Sequence, residues 1–86
     1  MTTREINAAI AAECGLGRRN YAGNLNAMIM AEANLGYEQL LEYTAQLAIG
    51  TGQTQNRNNW RYHCFVMIRA SVRAEAYLRA VGRWRE

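Results

Sequence analysis

Lysine is absent from this chain, and so are aspartate and proline. Histidine and phenylalanine occur once each, at His63 and Phe65, and cysteine twice, at Cys14 and Cys64. These gaps exclude whole classes of function. With no aspartate and one histidine there is no Ser/His/Asp arrangement. Cys64 and His63 are sequence neighbours. Neighbours do not face each other on a helix and point to opposite faces of a strand, so they form no nucleophile–base pair. Two cysteines so far apart match no zinc spacing and no redox pair, and are expected as small buried side chains of a reducing cytosol. Gly15-Leu16-Gly17 follows a helical pattern instead of a strand, so it is no phosphate loop. Glu13, Glu32, Glu38 and Glu42 lack His or Asp company and read as a solvated face. The expectation is a chain that is not an enzyme and holds no cofactor or metal. No apolar run reaches the length of a membrane span and no signal peptide is evident, so an intracellular protein is expected.

What is present is arginine. All ten basic side chains are Arg, all seven acids are Glu, and seven of the arginines fall between Arg57 and the end. Residues 1–19 carry about +1, 20–56 about −3 and 57–86 about +5. A guanidinium is planar, always charged, and offers a rigid fork of donors suited to phosphate or carboxylate. Half of the 86 residues are apolar. The chain is expected to fold as a single domain, 1–86, with a modest core. So small a core, joined to two oppositely charged segments, predicts self-association.

The periodicity predicts an all-α fold, a bundle of about four helices. Thr2 and Glu5 form a capping box before a face of Ile6, Ala9, Ile10 and Cys14, and Gly15 stops that helix. Asn20 is the expected cap of a second helix with Tyr21, Leu25, Met28, Ile29 and Leu35 on its apolar side. A third helix is expected to pack through Tyr37, Leu40, Leu41, Thr44, Leu47 and Ala48, with Glu38 and Glu42 turned away, and to close at Gly50-Thr51-Gly52. Residues 50–59 have no apolar side chain and read as a loop. From Trp60 to Trp84 two readings stand. Alternation over about 60–69 fits a strand, giving an α+β fold. At 100° per residue, however, Arg57, Arg61, Arg69, Arg73, Arg79 and Arg83 gather within an arc of roughly 160°. Trp60, Cys64, Met67, Ser71, Ala74, Leu78 and Val81 fall opposite. That order favours one long helix of about 25 residues, close to 37 Å, capped by Asn58 or Asn59.

Tyr62, Phe65, Ile68 and Val72 share the arginine arc. Two readings follow. In one, Glu32, Glu38 and Glu42 neutralise the row, within the chain or from a second copy. In the other the row is an interface, since apolar and aromatic groups among guanidinium groups make a contact surface. The residues expected to bind are Arg61, Arg69 and Arg73 on phosphates, Tyr62 or Phe65 stacked on a base, and Asn58 and Asn59 reading base edges.

Three stretches resemble small phage and prophage proteins of the phage ABA sandwich family. They are Ile10-Ala11-Ala12-Glu13-Cys14-Gly15; Asn20-Tyr21-Ala22-Gly23-Asn24-Leu25-Asn26-Ala27-Met28 with Ala31-Glu32; and Arg73-Ala74-Glu75-Ala76-Tyr77-Leu78-Arg79-Ala80-Val81-Gly82-Arg83-Trp84. The chain departs from that pattern. The family's β-rich insert is reduced to Gly17-Arg18-Arg19, its cap before the last helix to Ala70-Ser71-Val72, and its Asp before Leu is Asn24. The first two departures favour an all-helical version. No activity comes with the resemblance. It implies a phage setting and the host cytoplasm, where small accessory proteins act against host defences. Combined with the arginine row, the expected function is a homo-oligomeric sponge that sequesters nucleotide second messengers. The alternative is an inhibitor that binds a host defence protein or nucleic acid directly. DNA mimicry is disfavoured by the net charge of +3.

Overall fold

The computed structural model describes residues 1–51 and 68–85. Four helices make up the described part: α1 Thr3–Cys14, α2 Leu25–Glu32, α3 Tyr37–Thr51 and α4 Ala70–Ala80. No strand occurs among the described residues, and the protein is the predicted all-α bundle. The alternative strand at 60–69 lies almost wholly outside the described residues, and Ile68 and Arg69 are not in a strand.

The capping box of α1 forms as the sequence predicts. The Glu5 N–H donates to Thr2 Oγ1 at 3.2 Å and the Thr2 N–H to Glu5 Oε1 at 2.9 Å. These bonds hold the Glu5 carboxyl below its ordinary pKa. Gly15 adopts φ 71 and closes the helix with its N–H on the Ala11 carbonyl. Ile10 is fully buried, and Ile6, Ala9 and Cys14 pack beside it.

The second helix starts later than expected. Asn24 caps it, its Oδ1 accepting from the Ala27 N–H at 3.2 Å. Asn20 accepts instead from Asn7 Nδ2 at 3.1 Å, while Asn7 Oδ1 takes the Ala22 N–H at 2.9 Å. Asn7 thus fastens residues 20–22 to α1 as a turn. That turn places Tyr21 in the core, with its hydroxyl donating to the Gly17 carbonyl at 2.6 Å.

The buried side of α3 also differs. Leu47 and Ala48 are buried as expected, but Tyr37, Leu40 and Leu41 are exposed and Tyr43 is fully buried. The Tyr43 hydroxyl donates to Glu32 of α2, so a polar partner at depth turns the helix toward Tyr43.

The expected C-terminal rod is broken at Arg69. Arg69 has extended backbone, φ −64 and ψ 151, and α4 begins only after it. A continuous helix would give the Ile68 carbonyl to the N–H of residue 72. Here Arg73 Nε donates to it, at 3.3 Å. The end of α4 is a Schellman motif: the Arg83 N–H reaches the Leu78 carbonyl at 2.8 Å and the Gly82 N–H the Arg79 carbonyl at 3.3 Å, with Gly82 at φ 76.

These helices share one core, which includes Ile10, Tyr21, Met28, Tyr43, Leu47, Tyr77 and Leu78. Ala27, Ala31, Ala74 and Ala76 let the backbones approach. The α4 helix packs mainly on α3 and also against α1 and α2. Tyr43 and Tyr77 meet edge to face with centroids 6.4 Å apart. No helix among the described residues is long and apolar enough to cross a membrane.

Candidate functional site

Of the residues expected to bind a ligand, Asn58, Asn59, Arg61, Tyr62 and Phe65 lie outside the described residues. Arg69 and Arg73 are described, and they differ. Arg69 stands exposed at the start of α4, with no carboxylate partner among the described residues. Arg73, expected on the outward arc, is 1% exposed. Its Nη1 donates to both oxygens of Glu32, at 3.0 and 3.2 Å. Tyr43 donates to the same carboxylate. Burial, and then the Glu32 charge, push the Tyr43 hydroxyl well above its ordinary pKa.

The physical reason for the correction lies in the angles. The face of α4 that meets α2 and α3 carries Arg73, Ala76 and Tyr77, spaced by threes and fours. An arginine there is forced inside. A buried guanidinium persists only when paired and hydrogen-bonded. Glu32 supplies the pair.

The rest of the described row is also matched within the chain. Arg79 pairs with Glu75 at 3.1 Å, and its guanidinium lies 5.3 Å from the centre of the Trp84 ring. Arg83 reaches Glu13 of α1 at 2.6 Å. The reading in which acids of the middle segment neutralise the row holds for Glu32. Glu38 and Glu42 stay exposed on α3. Among the described residues, no group of three His, Cys, Asp or Glu side chains could hold a metal.

The residues that carry the family resemblance therefore build the scaffold. Tyr21, Met28 and Ala31 from its second stretch are buried, and so are Ala74, Tyr77 and Leu78 from its third. Glu32 and Arg73 join the two stretches. Asn24 is the N-cap of α2.

Two features escaped the sequence reading. Seven large apolar side chains among the described residues stay uncovered: Leu25, Ile29 and Met30 on α2, and Tyr37, Leu40, Leu41 and Ile49 on α3. Also, Arg4, Arg18 and Arg19 are exposed and make no ion pair among the described residues. The odd composition of 17–19 was visible, but not that it lies against α1.

No family model matches the chain, and no curated protein or solved structure does.

Proposed function

We propose that this chain is a non-catalytic, phage-type accessory protein that self-associates and acts by holding its target without transforming it. The observation that supports this best is the uncovered apolar surface of α2 and α3, where Tyr37 is 77% exposed and Leu41 52%. Where exposed apolar side chains gather, they mark contact surfaces. A second copy suits the patch by charge: Glu38 and Glu42 flank it on α3, while Arg69 and Arg85 stand exposed elsewhere on the same chain.

Within this reading the held target is a nucleotide messenger of host immunity, and the protein is a sponge. The all-arginine charge supports a phosphate-bearing target. The guanidinium of Arg73 is committed to Glu32 and the Ile68 carbonyl, so of Arg69 and Arg73, the two described residues expected on phosphates, only Arg69 is exposed for such a role. The phage setting rests on the three sequence stretches and their order.

Light scattering tests self-association. The expected mass at micromolar concentration is that of a dimer or larger, and Leu41→Glu is expected to return it to a monomer. A wild-type monomer would contradict the reading. Incubation with a panel of cyclic and linear oligonucleotide messengers, followed by denaturation, is expected to release them intact. Release of hydrolysed product would identify an enzyme.

A further inference from the structure

An open cleft of about 870 Å³ lies between α1 and the residues that follow it, lined by Arg4, Asn7, Ala8, Ala11, Arg18 and Arg19. From this we infer a second site: the cleft binds a small ligand carrying two or more phosphate charges, of the nucleoside diphosphate class. The inference goes beyond the proposed function and does not depend on self-association.

Three features of the chain build the cleft. Arg4, Ala8 and Ala11 recur by four and three, so they line one side of α1. Gly15 and Gly17 both take positive φ, 71 and 87, which turns the chain back after α1. Asn7 then bonds to Asn20 and to the Ala22 N–H, fixing the returning segment against the helix. Arg18 and Arg19 thereby line the same cleft as Arg4, Ala8 and Ala11.

The charge is left open by design of the neighbourhood. Only two acids occur in residues 1–19, and both face other partners. Glu5 is taken by Thr2 in the capping box. Glu13 lies on the far side of α1, bonded to Arg83. Three positive charges therefore line one open cleft with no carboxylate partner among the described residues. Elsewhere in the described structure Arg73, Arg79 and Arg83 each have their acid.

Guanidinium forks select planar or tetrahedral oxyanions, and three of them around one space match more than a single charge. The volume falls within the roughly 300–1,000 Å³ of small-molecule sites. A compact trio around a cavity favours a small polyphosphate over the extended backbone of a nucleic acid, which needs a row.

Isothermal titration with inorganic pyrophosphate, ADP and a short oligothymidylate tests this in the full chain. Pyrophosphate and ADP are expected to bind. Arg4→Gln, Arg18→Gln and Arg19→Gln are each expected to weaken binding about tenfold or more, the worth of one charge-assisted bond. Arg79→Gln, on α4 and already paired with Glu75, is expected to leave it unchanged. All four side chains are exposed, so circular dichroism is expected to show wild-type helicity. Ala8→Glu, which puts a negative charge in the cleft without breaking the helix, is expected to abolish binding. Absence of pyrophosphate and ADP binding would overturn the site. So would binding that ignores the three arginines, or binding of oligothymidylate alone.

Discussion

Arg73 and the trio Arg4, Arg18 and Arg19 are the same side chain put to opposite uses. Arg73 sits at the junction of α2, α3 and α4, removed from water, and is held by Glu32 and the Ile68 carbonyl. The trio stands in solvent around a cleft, with the nearby acids Glu5 and Glu13 turned to other partners. Burial decides which arginine serves the fold. A desolvated guanidinium without a carboxylate is too costly to keep, whereas an exposed one needs no partner and stays available for a ligand.

Glu32→Ala leaves Arg73 buried and uncompensated and removes the acceptor of Tyr43, and is expected to cost about 3–5 kcal/mol in urea unfolding. A loss under about 1 kcal/mol, the worth of a surface pair, would place the pair in solvent. Tyr43→Phe keeps the ring and deletes one bond to the carboxylate. Its expected cost is about 1–3 kcal/mol by the same assay.

Alkaline pH offers a second handle on the core. Burial, and then the Cys14 thiol, push the Tyr21 hydroxyl from 10.0 up to about 12. Burial first, then Cys14 and Glu13, raise Tyr77 from 10.0 to about 12 as well. The folded state keeps these protons longer than the unfolded chain does. Stability is therefore whole below pH 10 and falls as pH rises toward 12. Tyr21→Phe is expected to flatten that fall, measured as unfolding free energy against pH.

Smaller effects belong to the surface. The Arg83–Glu13 pair is half in solvent, and Arg83→Ala is expected to cost less than about 1 kcal/mol. Trp84 Nε1 is buried without a hydrogen-bond partner. Trp84→Phe deletes that orphan donor while keeping an aromatic ring, so the thermal midpoint is expected to hold or rise slightly.

Helix content and the ends of α1 were legible because capping and glycine signals act within four residues. The break at Arg69 was not. The arc of arginines assumes one unbroken helix, whereas Arg69 is extended and the Ile68 carbonyl accepts from Arg73, whose guanidinium is held by a carboxylate 41 positions away. The buried face of α3 was misplaced for a related reason. Tyr37, Leu40 and Leu41 look more apolar than Tyr43, yet a hydrogen bond to Glu32 drew Tyr43 inward. The cleft on α1 was invisible because it depends on how two asparagines fasten a turn, and periodicity carries no trace of that. Arg18 and Arg19 were visible as an odd pair in a connector, without the helix they face.

The division of labour among the arginines is tested most directly by urea unfolding of Arg73→Ala beside Arg18→Gln. The account predicts that Arg73→Ala loses about 3–5 kcal/mol or fails to fold, while Arg18→Gln matches the wild type within about 0.5 kcal/mol. A stable, fully helical Arg73→Ala protein would contradict it.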